Sequence, residues 1–121
     1  MSQRSEKRKT PRIQPYVAAC RILDGERRVP GYVTDLSPRG ARVTCEQEAP
    51  AVGQVVVVEV RFARRQGRAR LSGRVQWRRP LLHPSKGFDF GVTFEGLQAR
   101  EQELLETVVR DRQRQAEQLT R

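Results

Sequence analysis

The chain has 121 residues, 24 Lys and Arg against 14 Asp and Glu, a formal charge of +10 and 36% hydrophobic residues. That length holds one domain with one modest core, which excludes a two-domain enzyme or a long repeat array. No apolar run approaches the roughly 18 residues that cross a bilayer, and 21 of the basic residues are Arg, whose planar fork suits phosphates and guanine edges, so an anionic partner is the first expectation.

Residues 1–12 carry Arg4, Lys7, Arg8, Lys9 and Arg12 against Glu6 and almost nothing apolar. The reading is a flexible basic arm, with no signal-peptide core and therefore a cytoplasmic chain. Six segments rich in β-branched and aromatic residues follow, starting at Tyr16, Val29, Ala41, Val55, Leu71 and Phe88. Between them lie turn signals: Asp24-Gly25, Ser37-Pro38-Arg39-Gly40, Pro50 to Gly53, Arg64 to Gly67 and Pro80 to Gly87. This spacing predicts six short antiparallel strands in a small barrel over 13–97. After Gly96 the period changes. Leu97, Leu104, Leu105, Val108 and Val109 fall on one helical stripe, so 98–121 reads as a helix that covers part of the barrel and then runs into a polar tail.

Cys20 and Cys45 each stand within an apolar-polar alternation, and with a single His, His83, no metal-ligand spacing exists; both read as reduced strand cysteines. His83 sits in the Pro80–Gly87 loop without a carboxylate or nucleophile beside it. There is no GxxxxGK[ST] loop, no GxSxG elbow and no second His for a relay, which argues against an enzyme.

Two motifs carry the chemistry. The arm ends in Arg8-Lys9-Thr10-Pro11-Arg12, an RxxxR spacing, and Pro11 biases Thr10 away from helix. Between the second and third predicted strands stands Asp35-Leu36-Ser37-Pro38-Arg39-Gly40, a DxSxxG spacing with Gly where a turn commonly needs a positive φ. Neither spacing is specific alone in an arginine-rich chain; their order and distance, ahead of a barrel-like strand pattern, resemble the PilZ domain, a bacterial receptor for cyclic di-GMP. The resemblance extends roughly from Lys7 to Val109 and includes Val75-Gln76-Trp77 and Phe90-Gly91-Val92-Thr93-Phe94.

The resemblance implies a mainly β fold, a six-stranded antiparallel barrel with a C-terminal α-helix and a flexible basic N-terminal arm. It implies cyclic di-GMP as ligand, no cofactor and no metal, and a ligand set of Arg8, Arg12, Asp35, Ser37 and Gly40. Arg8 and Arg12 would clamp guanine and phosphate groups, and Lys7 stands where many relatives carry Arg. Asp35, an acceptor-only carboxylate, can receive the N1–H and N2–H₂ donors that an Arg cannot address. Ser37 can donate to the ligand or organise its own turn, and Gly40 allows close backbone approach. Further candidate contacts are Lys7, Arg39 and Trp77, the last either stacking on guanine or packing in the core. Arg42 and Arg78 add positive field. The expected mechanism is a receptor whose arm becomes ordered on binding and which signals to a protein partner of unknown identity.

Two competing readings remain at this stage. One is a basic small barrel that binds RNA or DNA, supported by the charge but opposed by an aromatic content of 6% and the lack of a stacking platform. The other is a ligand-free adaptor acting through protein contacts, opposed by the complete motif set.

Overall fold

A computed structural model describes residues 18–62, 67–82 and 87–119. The arm, with Lys7, Arg8 and Arg12, and the loop residue His83 lie outside the described residues. Six strands appear in chain order: β1 Ala18–Asp24, β2 Arg27–Leu36, β3 Gly40–Cys45, β4 Val55–Arg61, β5 Arg68–Pro80 and β6 Phe88–Phe94. A helix, α1, spans Ala99–Leu119. The strands close into an antiparallel barrel in the order β1-β2-β3-β6-β5-β4. This is the fold class that the turn-separated strand pattern predicts.

The interior follows from period-two alternation. Val56, Val58 and Val60 of β4 point inward and are buried, while Glu59 and Arg61 between and beyond them face out. Ile22, Val29, Val33, Val43, Leu71, Val75 and Phe90 complete a continuous apolar filling with side chains from all six strands. Valine dominates because its β-branched side chain suits an extended backbone and the narrow interior of a small barrel.

One mouth of the barrel gathers the start of β1, the β2–β3 turn, the β4–β5 connection and the end of β6. Helix α1 begins here. The Gln98 backbone N–H donates to the Glu101 carboxylate at 3.1 Å, one half of a capping box, and this carboxylate also complements the positive end of the helix dipole. Leu105 and Val108 are fully buried and join the core, with Leu97 and Leu104 packed at its margin. Burying Leu105 this way contributes about 2 kcal/mol relative to exposure. Beyond Arg110 the helix continues to Leu119 through residues that are mostly exposed, so the stripe ends before the helix does. Among the described residues no helix is long and apolar enough to cross a membrane.

Candidate functional site

The Asp35–Gly40 turn sits at the mouth where β1 enters the barrel. Its hydroxyl is used locally: Ser37 Oγ accepts the backbone N–H of Arg39 and of Gly40, both at 3.2 Å, and the Ser37 N–H donates to the Gly40 carbonyl at 2.9 Å. Of the two roles open to Ser37, the turn-organising one is thus occupied. Gly40 is not in the left-handed region, contrary to the dihedral expected from the motif. Its reason is proximity: a Cβ there would run into the Val92 carbonyl of β6, with Val92 C and Thr93 Cα also close. The neighbouring strand β6 can lie this near only because position 40 has no side chain. The Arg39 carbonyl accepts the Phe94 N–H at 2.8 Å and ties the turn to β6, while the Arg39 side chain is exposed.

Two β-bulges decide what the outer surface offers. On β2 the register with β3 shifts between Val33 and Asp35, so Thr34 and Asp35 together face Arg42. On β5 the register with β6 shifts between Val75 and Trp77, so Gln76 and Trp77 together face Gly91. Strict alternation from the inward Val33 and Val75 would turn Asp35 and Trp77 into the core. Each bulge adds one residue and turns them out.

Arg42 and Gly91 are themselves partners across β3–β6. Asp35, Arg42, Gly91 and Trp77 therefore form one lateral row across β2, β3, β6 and β5, spanning roughly 14 Å from the usual interstrand spacing. The Asp35 carboxylate is exposed and has no hydrogen bond or ion pair among the described residues. Arg42 is half-buried and held at one end: its Nε donates to Thr34 Oγ1 at 3.3 Å, and the Thr34 hydroxyl donates to the Arg42 carbonyl at 3.3 Å. Its two Nη groups have no partner among the described residues. Trp77 is 39% exposed and lies over Gly91, where any Cβ would overlap the indole.

A second row supports the first. Tyr32, Thr44, Asp89 and Arg79 are register neighbours across the same four strands. The Thr44 hydroxyl donates to Asp89 Oδ1 at 2.5 Å, and Arg79 Nη2 lies 3.5 Å from Asp89 Oδ2. Arg79 in turn sits 5.5 Å from the Trp77 ring centre, a cation–π contact that steadies the indole. Asp89 is the one buried polar residue among the described residues, and its pairing explains how it tolerates that position.

Sequence reasoning placed Trp77 between stacking and core packing; it is on the outer face. It counted Arg78 among surface charges that add to the field. After the bulge Arg78 instead turns the other way, pairs with Glu48 and lies 4.8 Å over the Phe88 ring, away from the Asp35 row. It missed Gly91 and Asp89. A glycine amid β-branched and aromatic strand residues was the available signal for close approach; nothing in sequence marked Asp89.

The arm precedes β1 in the chain, and β1 pairs with β2 of this face. Ala18 pairs with Val33, two residues before Asp35. Arg12 is six residues upstream, and six residues of chain reach at most about 20 Å. Cys20 on β1 points inward, and burial pushes its thiol up to about 12, so it supplies no thiolate; burial raises Cys45 as well.

A family model of the PilZ domain matches residues 4–111. The chain belongs to the PilZ family. PilZ domains are receptors for cyclic di-GMP rather than enzymes. Solved structures agree on the fold. The PilZ domain of YcgR from Escherichia coli, determined with c-di-GMP, superposes with a TM-score of 0.70 at 16% identity, covering 94% of this chain and 97% of that one. MrkH from K. pneumonia gives 0.76 at 15% identity, covering 93% of this chain and 52% of MrkH. The Bacillus subtilis inhibitor of motility MotI/DgrA gives 0.64 at 17% identity, covering 80% and 47%. The chain thus spans about half the length of MrkH and of MotI. A search of curated proteins by sequence found no match.

Proposed function

We propose that this PilZ chain is a non-catalytic, cytoplasmic receptor for cyclic di-GMP. The nucleotide would lie on the β2–β3–β6–β5 face, with Arg8 and Arg12 of the arm closing over it. The observation that carries this reading is the row from Asp35 to Trp77. It sets the Asp35 carboxylate beside Arg42, whose two Nη groups, like that carboxylate, have no partner among the described residues, and an aromatic plane two strands further on. Guanine asks for this combination: a donor fork for O6 and N7, an acceptor for N1–H and N2–H₂, and a flat surface for the ring. A surface selected for phosphate alone has no use for the carboxylate. Ser37 and Gly40 would serve by shaping the turn that holds Asp35, and Arg39 and Lys7 by adding positive charge at its edge. Ordering of the arm would change the surface presented to a protein partner.

Calorimetric titration of the full chain with cyclic di-GMP tests this, with cyclic di-AMP and GTP as controls. Replacing Arg8 or Arg12 by Ala should weaken binding by at least about tenfold each, and Asp35→Ala by about tenfold, as expected for charge-assisted hydrogen bonds. Melting temperatures should stay near wild type, because Asp35 has no hydrogen bond or ion pair among the described residues. Unchanged affinity in all three variants would refute the site. Trp77 is the sole tryptophan, so its fluorescence should change on saturation with ligand.

A further inference from the structure

On the opposite side of the barrel the outward residues of β1, β4 and β5 meet the first turn of α1 in an open cleft of about 980 Å³. Arg21, Arg61, Arg68, Arg70 and Arg100 line it, with Glu59 and Glu101. The strand register fixes the pattern. Glu59 is the partner of Arg21 on β1 and of Arg70 on β5, and its carboxylate lies 3.9 Å from Arg21 Nη1 and 3.2 Å from Arg70 Nε. Two residues along, Arg61 is the register partner of Arg68. Both are exposed, both face out, and neither has an acidic partner among the described residues. Arg100 likewise has none. Glu101 does not serve them, since its carboxylate receives the Gln98 N–H at the start of α1.

Like charges directly opposite on adjacent strands destabilise a sheet. Elsewhere on this barrel several strand arginines do have partners: Arg74 makes a two-pronged contact with Glu95 and donates to the Gly53 carbonyl, Arg79 meets Asp89, and Arg27 reaches the Glu48 carbonyl. Among the described residues nothing offsets the repulsion of the Arg61/Arg68 pair.

We propose that this cleft docks a short acidic segment of a partner protein, carboxylates pairing with Arg61, Arg68 and Arg100 and an aliphatic side chain resting on Ala19 and Leu104. Arginine forks take carboxylates in bidentate fashion, which suits a short segment with a few charges. A nucleic acid fits less well. Glu59 and Glu101 interrupt the positive surface that a continuous phosphate backbone follows, and the lining has no aromatic on which bases stack. The chain's own arm is excluded as occupant by its like charge, and a second copy is opposed by +10 on each molecule.

The test is fluorescence anisotropy with the full chain and a labelled short Asp/Glu-rich peptide carrying one central Leu, beside a single-stranded oligonucleotide of matched length and charge. The double reversal Arg61→Glu with Arg68→Glu should weaken peptide binding by at least about tenfold, while the charge-matched control Arg28→Glu with Arg110→Glu, outside the cleft, weakens it less than about threefold. Cyclic di-GMP titration of the double reversal should match wild type, which also reports that it is folded. The single variant Arg61→Glu should melt higher than wild type, because it turns a repulsive cross-strand pair into an attractive one. The proposal is overturned if wild type fails to bind the peptide at low salt, if both double variants lose it equally, or if the oligonucleotide binds more tightly and is lost in the same variant. A lower melting temperature in Arg61→Glu removes its energetic premise.

Discussion

The two sides of this barrel are built from similar residues and do opposite things with them. On the β2–β3–β6–β5 side the ladder is broken twice, and the breaks turn out a carboxylate and an indole on either side of a partly tethered arginine. On the β1–β4–β5 side the register runs without a shift, and its regularity sets Arg61 against Arg68. One side presents a donor, an acceptor and a plane; the other presents donors around carboxylates that are already engaged. Net charge is common to both and discriminates neither. What separates them is pairing, which is a property of register.

The strongest way to break the comparison is at Gly40. Gly40→Val drives a branched side chain into the Val92 backbone, which cannot yield as a side chain could. The expected cost is about 3 kcal/mol, or on the order of 10 °C in melting temperature, measured by calorimetry. A gentler cut is Gly91→Ala. Its methyl group meets first the indole of its cross-strand partner Trp77, a side chain that can swing away, so the tryptophan emission should shift to the red and cyclic di-GMP affinity should fall by about tenfold, roughly one stacking contact. Acidic-peptide binding should be unaltered, since Gly91 and Trp77 lie outside the cleft. If Gly91→Ala weakens both ligands equally, the two sides are not separable.

The smallest effect concerns the floor of the arginine cleft. Cys20 holds its proton to about 12 when folded, against 9.0 for a free thiol. The folded protein therefore binds that proton more tightly than the unfolded chain. The resulting stability is complete below pH 9 and declines as pH rises toward about 12. Cys20→Val should flatten that alkaline decline in urea melts, leaving the contribution of Cys45.

Strand count, the antiparallel barrel and the closing helix could be read from the chain because valine-rich segments alternate with Gly, Pro and Asp punctuation, and each interval is long enough for one strand; the strand order β1-β2-β3-β6-β5-β4 could not. The Asp35–Gly40 turn was legible for the same reason, and so was a need for close approach at its glycine; the positive φ expected there is absent, and what approaches is Val92, on a strand some fifty residues on. The bulges were hidden because a one-residue slip has meaning only against a partner. From sequence, Val75 and Trp77 stand two apart and share a face; in the barrel Gln76 is the inserted residue and they do not. The Arg61/Arg68 pair was hidden likewise, since opposing residues in a hairpin follow from its register and not from either strand alone.

Closure of the barrel has a further consequence for what can vary. With each of the six strands paired to a neighbour on both sides, little strand edge is left among the described residues to recruit another strand, so recognition on this scaffold falls mainly to outward side chains. Those positions alternate with the core along each strand, two interleaved alphabets in one text. The outer one can be rewritten with little penalty to the inner, and new ligand preferences can be explored without reopening the question of folding. Gly40 and Gly91 are the letters that both texts share, one pressed by a backbone and the other by an indole, and they mark where that freedom stops.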